Sequence, residues 1–338
     1  MRWDDVNARA RGLATHLLDE PNRLRLAKAR TWDQLVQVAR DAGYPLGDRP
    51  PDSLDQFDAA VGEVTAKRLA LLGRWLGYRR TALAVVYEVE ERQALRALLR
   101  GAVQGVSPAA RLRSVLPTPA LPRATLQQLA RAQSPAELAA LLLRHGHPAG
   151  RALAAAVADP RPPGLLGLEL ALSRTFAARA TRAARRGGRI LRAFASWTID
   201  LENAWTVLQA PGWGAEAIAP DGFLGGGRVL GLERFTALAR LEDSSAIRNG
   251  LAEAFGGSPF ATMFDAHGGD DAGFERRALT AEIEWCQPMA RLQPLGPAVV
   301  LGVLLRIRAE AHDLRAAAWR IALAAPTDAV APSPAGAL

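Results

Sequence analysis

Three carboxylates recur at nearly constant intervals along this chain: Glu91, Asp200 and Glu310, separated by 109 and 110 residues. Each sits near the start of a helix-forming stretch: residues 87–105 (YEVEERQALRALLRGAVQG), 199–212 (IDLENAWTVLQAPG) and 308–326 (RAEAHDLRAAAWRIALAAP). Three places after each acid come Ala94, Asn203 and Asp313, with Arg315 beyond the last. Carboxylates can perform acid–base chemistry, but a catalytic pair needs unlike environments inside one site. Equivalent positions, one per stretch, fit a structural role better: each acid accepts hydrogen bonds at a helix junction or pairs with an arginine of the next unit. Contact with a partner is the second use to weigh, and catalysis the last.

The other residues with chemical potential are weaker. The run Gly225-Gly226-Gly227-Arg228 lacks the Gly-Lys-Ser/Thr ending of a phosphate loop and follows no strand pattern, so a tight turn is the better account. His145 and His147 lie two apart, and His267 is near Asp270 and Asp271. Zinc needs three or four converging ligands, and no third His or Cys is spaced to help. Cys286, the single cysteine, excludes an internal disulfide and fits a buried apolar position in a reducing compartment. The densest charge is in residues 174–192, RTFAARATRAARRGGRILR. Arg182, Arg185, Arg189 and Arg192 form one stripe if a helix runs through the glycines. It is either a surface for phosphates or acidic partners, or a solvated face.

Positioning these groups falls to helices. Of the 338 residues 49% are hydrophobic and 6% aromatic, and Ala, Leu and Arg, all strong helix formers, dominate. No stretch alternates apolar and polar for long, so the fold class is all-α. A second echo strengthens the internal repeat: residues 32–45 (WDQLVQVARDAGYP) and 135–148 (PAELAALLLRHGHP) align with an offset of 103, and residues 249–259 (NGLAEAFGGSP) form a weaker third version. Each unit of about 105–110 residues pairs a short helix ended by Gly-x-Pro with a longer helix carrying the acid. Proline- and glycine-rich connectors place the units at 1–121, 122–222 and 223–326, with a disordered tail at 327–338. Helices are predicted at 4–18, 31–42, 54–77 and 81–100, the last stopped by Gly101. Further ones are predicted from 107 to 116, over 134–144 and 165–208 with a break at 187–188, and at 232–241, 244–255, 274–291 and 296–325.

The formal net charge of +8 permits nucleic acid, an acidic protein or an anionic membrane surface and selects none of them. No aromatic stands between Arg182 and Arg192 to stack bases, so nucleic acid is the least favoured. The N-terminal residues are not a signal peptide, and the longest apolar run, 295–305, is about half of the ~20 residues a membrane-spanning helix requires and contains Pro297.

In order and spacing, several segments together resemble the C subunit of the V/A-type ATPases, whose eukaryotic vacuolar counterpart is the d subunit. They are VNARARGLATHLL, LRALLRGAVQG, HGHPAGRAL, IDLENAWTVLQAPG, the FLGGGR turn at 223–228, PLG at 294–296 and the closing helix with Glu310, Asp313 and Arg315. The resemblance covers residues 5–326. It departs at Ala94 and Asp313, where the family's motif carries Asn, so no identical Asn bond is expected in all three stretches. The resemblance implies a funnel of three similar helical domains on a pseudo-threefold axis, without cofactor or catalytic residues. It implies a rotor socket, cytoplasmic and peripheral to the inner or plasma membrane. The socket rests on the proteolipid ring of the membrane sector and receives central-stalk subunits in its cavity, coupling ATP chemistry to proton or sodium transport. The alternative is an unrelated all-helical repeat scaffold or adaptor.

Overall fold

The computed structural model describes residues 2–81, 83–113, 115–159, 164–213, 221–264 and 273–323. His267, Asp270, Asp271 and the tail 327–338 lie outside the described residues, as does part of the connector before Phe223. The fold is all-α. Its helices run α1 (Asp4–Ala14), α2 (Glu20–Lys28), α3 (Trp32–Asp41), α4 (Leu54–Leu76), α5 (Ala84–Val103), α6 (Pro108–Arg111) and α7 (Arg123–Leu129). Next come α8 (Pro135–Arg144), α9 (Ala149–Val157), α10 (Leu165–Arg186) and α11 (Gly188–Trp213). The last four are α12 (Leu232–Ala239), α13 (Ser244–Ala254), α14 (Phe274–Leu292) and α15 (Pro297–Ala322). Among the described residues no helix is long and apolar enough to cross a membrane.

Short polar caps start the short helices. Asp19, Thr31, Ser107, Ser134 and Asp243 each accept a backbone N–H of the first turn they precede. Such a side chain satisfies a donor that has no partner within the helix. Two predicted boundaries are corrected by packing. The opening helix ends at Ala14, and a separate α2 follows its own cap at Asp19. Gly101 does not stop α5, which continues to Val103. A Cβ at Gly101 would lie 2.5 Å from Arg111 Cγ, so the glycine makes room for a neighbouring side chain.

The long helices are joined by three tight connections: the 3-10 turn Gly77–Thr81 before α5, the Gly187–Gly188 corner between α10 and α11, and residues 293–296 between α14 and α15. All three gather around one hydrophobic cluster, which takes Leu76 and Leu83, Ala184 and Leu191, and Ala290 and Ala298 from their flanks. Helix α1 is tied over the same end. The Asn7 amide donates to the Pro294 and Gly296 carbonyls at 3.3 and 3.0 Å, and Asp5 pairs with Arg79 at 2.9 Å.

Three further cores share a plan: the later part of a long helix packs on the short helices that follow it. Leu95, Leu98 and Leu99 of α5 meet Leu126, Leu138 and Leu153. Leu201, Val207 and Leu208 of α11 meet Phe235, Ile247 and Leu251. Leu314, Ala317 and Ala318 of α15 meet Leu26, Leu35 and Val36, so the last helix completes the core of the first short pair.

Leu98 is 1% exposed, so Leu98→Ala is expected to lower unfolding free energy by about 2–5 kcal/mol in urea denaturation. Leu98→Asp should cost more, since it buries an unpaired charge. An unchanged midpoint for either variant would remove this face of α5 from the core.

Candidate functional site

The predicted acids are brought to three separate internal nodes rather than to one site. Glu91 on α5 accepts the Thr118 hydroxyl at 2.9 Å and faces His147 Nε2 at 3.4 Å. Because His147 Nδ1 accepts the Ala149 N–H, Nε2 is left to carry hydrogen toward Glu91. Thr118 in turn accepts the Leu121 N–H, so Glu91 fixes the loop that leads into α7.

Asp200 on α11 accepts three successive backbone N–H groups, from Arg228 at 2.5 Å and from Val229 and Leu230 at 3.1 Å each. One turn further, Asn203 brackets Leu224, donating to its carbonyl and accepting its N–H at 2.9 Å each. The two side chains hold both ends of the Gly225–Gly227 turn. A Cβ at Gly227 would lie 2.2 Å from Asp200 Oδ1, so glycine is needed for the backbone to come this close. The anion cradled beside this glycine run is the protein's own carboxylate. Burial pushes the Asp200 pKa up, against the pull of the three N–H groups.

Glu310 on α15 accepts the Leu18 N–H at 2.5 Å and pairs with Arg68, whose other nitrogen donates to the His16 carbonyl at 2.7 Å. Burial raises the Glu310 pKa against that arginine. Asp313 pairs with Arg23, 2.9 Å from its Nε, and lies 3.7 Å from Arg276. Arg315 donates to Asp58 at 2.7 Å. The residues three places after the acids therefore behave differently. Asn203 grips backbone, Asp313 grips an arginine, and Ala94 is packed in a hydrophobic core.

The residues that sequence reasoning missed line a cavity of about 640 Å3 between α5, α11, α14 and α15. Arg92, Arg96 and Arg100 stand four apart along α5. Arg92 and Arg96 both pair with Glu202 of α11, the latter at 2.5 Å, and Arg100 pairs with Glu169 of α10 at 2.5 Å. On the other side Glu90 pairs with Arg308 of α15, which lies 3.8 Å from Glu282 of α14. Burial would raise the Glu202 pKa, but Arg92 and Arg96 outweigh it and hold the group at about 2. Burial pushes Glu282 up to about 7, because Arg308 only partly offsets it and Glu90 and Glu275 add to it. The four-residue spacing along α5 was visible in sequence; the partners on three other helices were not.

The basic stripe is not continuous. α10 stops at Arg186 and α11 starts at Gly188, whose φ is +83°. Ser173 faces Glu202 across the two helices, so the chain doubles back at this corner. Arg182 and Arg185 thus sit at the end of one arm, and Arg189 and Arg192 at the start of the other. His145 bonds Gln128 rather than joining His147. Cys286 is buried, donating to the Ala298 carbonyl. Among the described residues no group of three or more His, Cys, Asp or Glu is placed to hold a metal ion.

Charges that point inward to fix helices around a cavity make this an all-helical framework protein. The chain belongs to the ATP synthase (C/AC39) subunit family, whose pattern matches residues 6–331. It is similar to the C subunit of the V-type ATP synthase from two strains of Thermus thermophilus. Each is 29% identical over 278 residues, an overlap spanning 81% of this chain and 80% of the relative.

Gly227→Ala is expected to destabilise by at least about 1 kcal/mol, by forcing Asp200 off its turn; an unchanged melting temperature would show that the turn is not held this way. The buried acids set opposite pH dependences. Glu282 binds its proton more tightly folded (about 7) than at its ordinary 4.5, so its contribution is full below 4.5 and lost as pH rises through about 7. Glu202 contributes above 4.5 and loses that contribution as pH falls toward about 2. Glu282→Gln should therefore be more stable than the parent at about pH 8 and lack the decline between pH 4.5 and about 7. Parallel stability–pH curves would sink this assignment.

Proposed function

We propose that this chain is the non-catalytic socket of the central rotor in a V/A-type ATPase or ATP synthase. The observation that carries the reading is the cavity walled by α5, α11, α14 and α15, in a chain that belongs to the ATP synthase (C/AC39) subunit family. Central-stalk subunits enter this cavity. The opposite end, where the three connections meet, faces the proteolipid ring of the membrane sector, at the cytoplasmic side. The chain then couples rotation to proton or sodium transport by stiffness, since close-packed interiors deform little and pass strain on.

Three helical units, at about 1–121, 122–222 and 223–326, closed head to tail would give such a socket. The three cores and carboxylate nodes support this reading, because each long helix is bonded to the segment that follows the next connector. The node of Glu310 reaches from the last unit back to the first. A closed set of units has no free end at which torque could open the stack.

Tagging the chain in its native host and solubilising membranes gently should recover the proteolipid ring and central-stalk subunits. A monodisperse chain without ATPase subunits, from cells that make them, would leave an unrelated helical scaffold as the better account. Ala97 and Ala316 both line the cavity and are only half-buried. Ala97→Trp with Ala316→Trp is expected to leave melting within a few degrees of the parent while the stalk subunits are lost from the purified complex. Retention of the stalk by this filled variant would exclude the cavity as its seat.

A further inference from the structure

The end of the molecule where the three connections gather is free of acid on every connection. No Asp or Glu occurs within residues 64–87, 170–199 or 285–309. Of the carboxylates close by, Asp5 on α1 is engaged by Arg79, Asp4 by Arg2, and Asp221 lies 4.0 Å from Arg174. At the α10–α11 corner Arg182, Arg185, Arg186, Arg189 and Arg192 are all exposed. None of the five has an ion-pair or hydrogen-bond partner among the described residues. What sets the corner apart is their density: five exposed arginines lie within eleven residues, with no carboxylate among them.

The same end exposes large apolar side chains. Tyr78 on the first connection is 69% exposed, and Leu292 and Leu295 on the third are 75% and 63% exposed. They flank unpaired cations: Arg80 is exposed beside Tyr78, and Arg291 beside Leu292. Next to the arginine corner, Thr181, Arg182 and Arg185 border a groove of about 590 Å3 whose far wall is Phe223 and the Gly225–Gly226 backbone. It offers a phosphate two guanidinium groups and a hydroxyl.

We infer that this end of the molecule binds a bilayer surface rich in anionic phospholipid. The arginines take the lipid phosphates, while Tyr78, Leu292 and Leu295 enter the boundary between headgroups and acyl chains. Cations beside exposed apolar side chains are what an anionic lipid interface selects, and guanidinium matches phosphate geometry bidentately. An acidic protein surface would satisfy the arginines equally. It would also need separate apolar pockets placed for side chains on two different connections, whereas a fluid interface receives them wherever they project. The inference rests on the socket reading only for its setting, in which this end faces the membrane sector.

The test uses the purified full chain, without other subunits, sedimented with vesicles of phosphatidylcholine alone or of phosphatidylcholine with about 30% phosphatidylglycerol. Binding is expected only to the anionic vesicles, and added salt should weaken it through screening. Arg185→Glu with Arg189→Glu should reduce it at least about tenfold with unchanged melting. Leu292→Ser with Leu295→Ser should remove the part that survives high salt; unchanged binding at every salt concentration would refute entry of these side chains. No binding to anionic vesicles at low salt, or equal binding by the arginine double variant, would overturn the inference. If the chain ignores vesicles yet the arginine variant no longer co-purifies with ATPase subunits, the corner belongs to an acidic protein surface, and the socket reading stands without the lipid one. Vesicle binding by a parent chain that recovers no ATPase subunits would do the reverse.

Discussion

The bond on which the architecture most depends joins Glu310 to the Leu18 backbone N–H and to Arg68. It spans 292 residues of sequence and ties the last long helix to the loop after the first helix. Loop-closure entropy opposes such a contact, though only slowly with length. The local geometry offsets it. The carboxylate is buried, accepts a charge-assisted bond, and holds an arginine that also satisfies the His16 carbonyl. Glu91 and Asp200 do the corresponding work at the two internal junctions, through Thr118 and His147 in one case and three backbone N–H groups in the other. One helix carboxylate fixing one loop is the recurrent device; the loop decides which donor it supplies.

The second constraint is the buried charge around the cavity. Ionised groups removed from water are costly unless paired, and removing one partner leaves the other stranded. Here Arg92 and Arg96 share Glu202, while Arg308 serves both Glu90 and Glu282. The first cluster is over-supplied with cation, so its carboxylate is held ionised. The second has two carboxylates for one guanidinium, so one of them keeps its proton to higher pH. α5 takes part in both and thereby links α10 and α11 on one side to α15 on the other. That gives the cavity wall directionally bonded cross-ties in addition to hydrophobic packing.

Much of this was legible in the chain itself. The helical class followed from composition, and the predicted starts at 31, 107 and 134 coincide with the caps Thr31, Ser107 and Ser134. The regular spacing of Glu91, Asp200 and Glu310 singled out three acids that the structure bonds to loops inside the protein. These features are local, or repeat at a fixed period, so a one-dimensional string carries them. Glycine was less readable. Gly101 reads as a helix stop and Gly227 as part of a tight turn, yet each must also be glycine because a side chain from another part of the chain presses against its backbone.

Sequence alone thus determined the helices, the repeated acids, and the family that their order resembles. Tertiary structure alone decided the partners: Arg68 and Leu18 for Glu310, the 228–230 backbone for Asp200, and Glu202 for Arg92 and Arg96. It also decided that the arginine stripe is folded in two, since Gly188 reverses the chain where helix periodicity would have run on. The physical reason is the same throughout. Helix propensity and capping act over a few residues, whereas burial and ion pairing depend on which distant segments the closed packing brings within a few ångströms.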